Sequence, residues 1–385
     1  MSNPRLSSFH VPALDGIRGL AILLVIPHNA SLMLGTAYHG AGYFAKEYSV
    51  IGWVGVQLFF VLSGYLITGG LLDSRGSDHY FRSFYMRRAL RILPIYYGIL
   101  LLTFAVLGPL DLLPAETQST AHNQFWLWVF LSNWMAPLGF EVKGFSHFWS
   151  LAVEEQFYLL WPLLVYRLNA RQVLKISIAV CVAALMVRVG MRFVGIAPER
   201  LYEFTICRMD ALAFGAAAAA YVRLPRAFER LDKWLPRLPF LALAILAVGA
   251  ILTHTYQRTG LETQTFGLSA LAAAFMLLVL AAAQMPPGSH VWFTAPLSWK
   301  PLRSVGKYSY GMYVYHMPLH LLIGVHLLGI TAKAPTAKTA VLYATAVTVA
   351  SYLVAFASYH LFEVHFLRLK RLFPQRVESS RAEAV

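Results

Sequence analysis

Long apolar runs, separated by short polar segments, repeat along almost the whole chain. An α-helix needs about 20 apolar residues to cross a bilayer whose hydrocarbon core is about 30 Å thick. The runs predict membrane-spanning helices at about 14–34, 50–72, 92–110, 149–168, 174–194, 205–222, 238–256, 264–284, 307–329 and 338–360. We therefore predict an all-α polytopic membrane protein with about ten transmembrane helices.

One apolar segment, residues 125–138 (FWLWVFLSNWMAPL), does not fit this scheme. It is too short to span a bilayer, and its three tryptophans are typical of the depth of the lipid headgroups. Counting it as a span would also move the loop with Arg167 and Arg171 to the opposite side of the membrane. We interpret it as a re-entrant or interfacial segment.

Composition and charge support this interpretation. The 385 residues are 58% hydrophobic and 13% charged, with a net charge of +14. The basic residues lie in clusters between the apolar runs, which is typical of cytoplasmic loops and does not indicate a surface for nucleic acid. Their distribution predicts that both termini lie in the cytoplasm of a multi-pass protein of the cell inner membrane.

Two regions follow from this pattern. Residues 1–365 are predicted to form the membrane domain, with the first apolar run retained as a helix and not cleaved as a signal peptide. Residues 366–385 are predicted to be a basic, disordered cytoplasmic tail, so we expect no second domain after the last helix. The two cysteines indicate neither a disulfide framework nor a metal site.

Ionisable residues within the apolar runs are costly and mark functional sites. Counting 1.5 Å of rise per residue places Arg18 near the cytoplasmic face and His28 about 15 Å further out. The same count puts the Glu154–Glu155 pair at the depth of His28, with one of the two facing the site. A histidine near a carboxylate suits a general base for an alcohol.

Other polar residues gather at similar depths. Arg208 and Asp210 are either catalytic or, as we favour, a structural ion pair, and Gln57 reaches a similar level. Tyr313 and His316 lie nearer the middle of their helix, where His316 is either a ligand or proton relay or a hydrogen-bonded packing residue. Arg82, Arg87, Arg88 and Arg91 resemble an ordinary cytoplasmic loop, but their density also suits a phosphate-bearing ligand.

Familiar catalytic motifs of other classes do not occur in the sequence. There is no HExxH pattern or other set of residues with metal-ligand spacing, and no glycine-rich phosphate loop. A GxSxG nucleophile elbow is also missing. We therefore expect no metal and no serine nucleophile of the hydrolase type.

Seven segments together resemble the acyltransferase-3 family of integral membrane acyltransferases. They run in family order along nearly the whole chain: LDGIRGLAILLV with His28, FFVLSGYLIT at 59–68, RRALRILPIYY at 87–97, FWSLAVEEQFYLLWPLL at 148–164, RMDALAFG at 208–215, GKYSYGMYVYH at 306–316 and SYHLFEVHFLRL at 358–369. The resemblance implies a ten-helix enzyme that moves an acyl group, commonly acetyl from acetyl-CoA, onto a hydroxyl, often of a sugar.

The resemblance also implies roles for residues. Arg18 and His28 match the family's basic-residue-to-histidine motif. Glu154 matches the glutamate of the family's SxxxE-type segment, and Arg88 and Arg91 match its basic loop motif. Nine residues separate Arg18 from His28 where the family usually has ten, which turns His28 about 80° from the face of Arg18 unless Pro27 rotates the helix. His365 stands where relatives often have proline.

The sequence therefore predicts a membrane O-acyltransferase. Acetyl-CoA or another acyl-CoA would bind through Arg87, Arg88 and Arg91, and His28, oriented by Glu154, would deprotonate a sugar or glycoconjugate acceptor. Membrane lipid is the other expected partner, and the sequence does not indicate an oligomeric state. The alternative is a proton-coupled transporter or flippase, because histidine and carboxylates within a membrane also build proton relays.

Overall fold

The computed structural model describes residues 11–31, 41–110, 113, 115–140, 143–286, 289–327 and 336–374. These residues form helices and turns, and they contain no strand. The α-helices are α1 (Pro12–Asn29), α2 (Ala41–Ile51), α3 (Val54–Asp73), α4 (Tyr80–Leu100), α5 (Ala115–His122), α6 (Phe125–Trp128), α7 (Phe148–Arg167), α8 (Ala170–Phe193), α9 (Pro198–Glu203), α10 (Thr205–Tyr221), α11 (Ala227–Asp232), α12 (Leu238–Leu252), α13 (Leu268–Gln284), α14 (Val291–Leu297), α15 (Lys300–Leu321), α16 (Ala337–Ser358) and α17 (Val364–Arg368).

Shorter helical segments of other pitch extend several of these helices. Wider π-helical turns occur at Leu101–Leu107, Thr263–Gly267, Leu322–Leu327 and Tyr359–Glu363, and 3₁₀ turns occur at Ser132–Trp134, Leu235–Arg237 and Leu369–Leu372. Each predicted span coincides with one long helix, namely α1, α3, α4, α7, α8, α10, α12, α13, α15 and α16. The prediction of an all-α polytopic membrane protein is confirmed.

Six helical stretches of the described chain are long and apolar enough to cross a membrane. They are Val54–Asp73, Tyr80–Leu107, Ala170–Phe193, Leu235–Leu252, Thr263–Gln284 and Ala337–Leu372. The other four of the ten, α1, α7, α10 and α15, are the helices that carry most of the predicted site residues. The total of ten therefore stays a prediction.

Small residues let the central helices approach at backbone distance. A Cβ on Gly64 of α3 would overlap the Leu212 carbonyl of α10, and one on Gly215 would overlap the Val61 carbonyl. The same holds between α1 and α15, where a Cβ on Gly306 would overlap the Asp15 carbonyl. Such close approach is typical of helix pairs in membranes, where packing replaces the hydrophobic effect as the main attraction. It fixes Arg18 beside α15.

The unusual segment at 125–138 forms the single turn α6 and the 3₁₀ turn at Ser132–Trp134. It packs against the bundle, because the Tyr96 hydroxyl donates to the Leu127 carbonyl at 2.7 Å and the Gln156 side chain donates to the Phe130 carbonyl at 3.0 Å. This segment and the loop before α7 cover the start of α7, where Phe148 and Trp149 are buried.

The start of the predicted tail is helical. Helical structure continues to Leu372, and Arg87 of α4 donates to the carbonyls of Lys370 and Phe373 at 3.1 and 3.2 Å. Residues 366–374 are thus held against α4, which the apolar pattern alone did not suggest because basic residues alternate with apolar ones there. Residues 375–385 of the tail lie outside the described residues.

Candidate functional site

A polar cavity of about 280 Å³ lies between α1, α3, α4, α7 and α15. Five basic side chains line it: Arg18, Arg87, Arg88, Arg91 and Lys370. Glu154 is the one carboxylate of its lining. We call this space the inner cavity. Its excess of positive charge, in a bundle of apolar helices, suits an anionic ligand.

The three arginines of α4 reach this space because of their spacing. Positions 87, 88 and 91 are separated by one, three and four residues, which places all three side chains on one side of the helix. Arg88 extends over the ring of Tyr158, with its guanidinium carbon 4.9 Å from the ring centre. All three arginines predicted to bind the donor therefore face the same cavity.

Glu154 is the member of the Glu154–Glu155 pair that lines the inner cavity. It shares this lining with the hydroxyls of Ser63 and Tyr158 and interacts electrostatically with Arg88 and Arg91. The two hydroxyls are themselves 2.9 Å apart. Glu154 is thus part of the polar network that holds the arginines. Ser63 and Tyr158 escaped the sequence reasoning because single hydroxyls in apolar runs carry little signal.

Arg18 and His28 lie at different levels, as the rise of α1 requires. Arg18 lines the inner cavity and donates to Asp15 at 2.6 Å. His28, about 15 Å further along α1, is outside that lining and its Nδ1 lies 2.7 Å from the Ser49 carbonyl of α2. Because a carbonyl only accepts, Nδ1 carries the proton and Nε2 keeps the lone pair of a base.

The structure does not bring His28 and Glu154 together. Glu154 shares its cavity with Arg18 and not with His28. Depth counting failed because it placed the start of α7 at the outer surface. His147, just before α7, packs against His316, which bonds to Asn29 beside His28. Helix α7 therefore begins near the level of His28, and Glu154 lies about 10 Å further along, toward Arg18.

The predicted ion pair between Arg208 and Asp210 is wrong. Asp210 pairs with Arg188 of α8 at 2.8 Å, and both side chains are fully buried. Ser269 completes this network by accepting from Arg188 at 2.6 Å and donating to Asp210 at 2.8 Å. Residues two apart in a helix point to different faces, so Arg208 and Asp210 cannot pair. The sequence reasoning missed Arg188, one of four basic residues of α8.

Arg208 faces the centre of the bundle instead. It donates to the Gln57 side chain at 2.6 Å, and Gln57 in turn donates to the Leu268 carbonyl at 3.0 Å. The guanidinium carbon lies 4.7 Å from the ring centre of Tyr202, 5.5 Å from that of Trp149 and 5.7 Å from that of Phe60. Two predicted residues, Arg208 and Gln57, thus meet in an aromatic cage, and Phe60 separates this cage from the inner cavity.

Tyr313 and His316 connect the inner cavity with the end of α1. The Tyr313 hydroxyl lines the cavity, donates to the His147 carbonyl at 2.7 Å and contacts the Ser150 hydroxyl at 2.5 Å. His316 bonds through Nδ1 to the Tyr313 carbonyl and through Nε2 to the Asn29 amide, at 2.6 and 2.8 Å.

Asn29 follows His28 directly, so polar groups form a continuous series from the inner cavity to the level of His28. The buried imidazole of His147 extends this series, with its ring centre 4.7 Å from that of His316. Sequence reasoning missed His147, which lies just before a predicted span, and Asn29, a single amide within one.

Comparison with known proteins assigns the fold to a family. A family model described as an acyltransferase domain, acyltransferase-3, matches residues 11–360. The putative peptidoglycan O-acetyltransferase YrhL of Bacillus subtilis is 32% identical over 337 residues, which cover 81% of this chain and 49% of that protein. The peptidoglycan O-acetyltransferase OatA of Listeria monocytogenes is 31% identical over 336 residues, covering 82% of this chain and 50% of that protein.

The O-acetyltransferase OatA of Staphylococcus aureus is 28% identical over 340 residues, covering 83% of this chain and 51% of that protein. The chain thus spans about half the length of the curated relatives it matches. No solved structure matches it at a significant level. With the family model covering nearly all of the membrane helices, the chain belongs to the acyltransferase-3 family of membrane acyltransferases.

Proposed function

We propose that the chain transfers an acetyl group from acetyl-CoA to a hydroxyl of a sugar-containing acceptor. The observation that carries this proposal is the inner cavity, where basic side chains from α1 and α4 and from the segment after α17 converge within an acyltransferase fold. The relatives named above are O-acetyltransferases, and two of them carry the word peptidoglycan in their names. We take a cell-wall or related glycan as the acceptor.

The donor would enter from the cytoplasmic side. Arginine binds phosphate oxygens through two parallel hydrogen bonds, so Arg88 and Arg91 suit the diphosphate of the donor. Glu154 shares the cavity with the Tyr158 and Ser63 hydroxyls and interacts electrostatically with both arginines, and we assign it a positioning role. The neutral arm that carries the thioester would then extend along α1 toward His28.

His28 would act as the general base. The acceptor hydroxyl gives its proton to Nε2 of His28 while its oxygen attacks the thioester carbonyl. The C–O bond forms, the C–S bond breaks, and the thiolate leaves and takes up a proton. The bond from Nδ1 to the Ser49 carbonyl holds the imidazole in the tautomer that this step requires. This base lies about 15 Å from Arg18 along α1, so the donor phosphates and the acceptor occupy two separate sites.

Transfer of labelled acetyl from acetyl-CoA, measured in membranes that contain the chain, tests this proposal. His28→Ala should lower kcat by about 10²- to 10⁴-fold, the usual contribution of a general base. Arg91→Gln should mainly raise the KM for acetyl-CoA, because it removes a phosphate contact. Arg167→Gln, at an exposed position at the end of α7, is the matched control and should behave like the wild type.

Full transfer by the His28→Ala variant at normal protein content would contradict the assignment of the base. Export of an acceptor without consumption of acetyl-CoA would instead favour the transporter or flippase.

A further inference from the structure

A second cavity, of about 680 Å³, adjoins the inner cavity. Arg18, Arg91, Tyr310 and Lys370 line both spaces and form the neck between them. The rest of the second lining comes from Asp15 of α1, from the first half of α15 and from the segment between Tyr359 and Lys370. The charge bias predicts that this side faces the cytoplasm. We call this space the basic chamber.

The basic chamber has a large excess of positive charge. Six basic residues line it against two acidic ones: Arg18, Arg91, Lys300, Arg303, Lys307 and Lys370 against Asp15 and Glu363. Asp15 pairs with Arg18 at 2.6 Å. In the part of the chain that the structure describes, Lys300, Arg303, Lys307 and Lys370 enter no ion pair.

The α15 cations are available to a ligand. The Lys307 ammonium lies 5.0 and 4.5 Å from the ring centres of Tyr308 and Tyr359, a contact that leaves its donors free for an anion. Nε of Arg303 is buried and has no hydrogen-bond partner among the described residues. Leaving such a group unsatisfied is costly, so the arrangement favours a bound acceptor of hydrogen bonds.

The two cavities differ in size, and each suits a different part of the donor. Small-molecule sites usually enclose about 300 to 1,000 Å³, so the basic chamber is large enough for a nucleotide, whereas the inner cavity is at the lower limit. The arm of acyl-CoA is slim and neutral, and its nucleotide end is bulky and anionic. The order of the donor's parts, arm, diphosphate, then 3′-phosphorylated ribose, matches the order inner cavity, neck, basic chamber.

We propose that the basic chamber binds the nucleotide end of the donor and that Lys300, Arg303 and Lys307 hold its 3′-phosphate. This inference rests on the proposed function and adds a means of donor selection. A phosphomonoester carries about −1.5 to −2 charges at pH 7, which these three cations would neutralise. Donors without the 3′-phosphate would enter the inner cavity equally well but would lose the contacts in the chamber.

Two donors test this inference, acetyl-CoA and acetyl-dephospho-CoA, which lacks only the 3′-phosphate. The initial rate of acetyl transfer is measured with each. The purified full chain is used in nanodiscs of zwitterionic lipid. Wild type should show a KM about tenfold or more lower for acetyl-CoA, the effect of losing at least one charge-assisted contact. Arg303→Gln and Lys307→Gln should raise the KM for acetyl-CoA toward that of acetyl-dephospho-CoA, with kcat and the KM for acetyl-dephospho-CoA unchanged.

The controls separate the possible failures. Arg368→Gln, an exposed basic position of α17 outside the chamber lining, should keep the wild-type preference. Equal KM values for the two donors in wild type, or equal shifts for both donors in the variants, would overturn the inference. Wild-type transfer could instead require anionic lipid and show no preference between the two donors, with the variants losing the lipid requirement. That result would overturn the inference in favour of a lipid headgroup in the chamber. No transfer from either donor would instead refute the proposed function.

Discussion

Single charged residues decide how this bundle is held together. Arg188, Arg208 and Asp210 are all fully buried, yet only Arg188 and Asp210 form an ion pair. The sequence reasoning found Arg208 and Asp210 but missed Arg188, and it paired the two it found because partners were assigned by proximity along the chain. The rotation of 100° per residue of an α-helix excludes a pair two residues apart and points Asp210 toward α8.

Breaking this pair should destabilise the protein severely. Arg188→Met leaves Asp210 buried without its partner, which costs about 3 to 5 kcal/mol. The double variant Arg188→Met, Asp210→Asn removes both charges and should recover most of that loss. The unfolding midpoint in detergent measures both effects, with Arg171→Met, an exposed position of the same helix, as the control. If the single and double variants unfold together, the pair does not carry the stability assigned to it.

The elements were predictable from hydrophobic runs, but their levels and partners were not. In the described residues every apolar run of spanning length forms a helix, because a helix satisfies its own backbone groups in lipid. The level of Glu154 was wrong because the start of α7 is placed by contacts of His147 and Ser150 with α15, a helix distant in sequence. The contact of α1 with α15 likewise depends on glycines whose facing partners are about 290 residues away along the chain.

Close approach of α1 and α15 should be required for both stability and donor binding. Gly306→Ala places a methyl group against the Asp15 carbonyl, which forces the helices apart beside Arg18. Overpacking of this kind costs about 1 to 3 kcal/mol, and the KM for acetyl-CoA should rise. Gly190→Ala, where no atom lies within 4 Å of the added methyl, should be as stable as wild type or slightly more stable. A thermal shift assay and donor kinetics on both variants distinguish these outcomes.

At the scale of the whole molecule, the polar groups form a path across the bundle. It leads from the basic chamber through the neck to the inner cavity, and then through Tyr313, His316 and Asn29 to the level of His28. Composition and charge bias predicted the class of protein, and ionisable residues within apolar runs pointed to Arg18 and His28 on this path, but not to the basic chamber. The intervening steps could not be predicted, since they depend on side chains from helices that are distant in sequence.

The central claim is that this path delivers an acetyl group to a glycan. The most direct test is a mass comparison of the glycans from cells that carry the wild-type chain, the His28→Ala chain or no chain, at matched protein levels. We expect an acetyl increment on a glycan from cells with the wild-type chain and its absence in both other strains. Identical glycan masses in all three strains, or an increment that persists with His28→Ala, would contradict it.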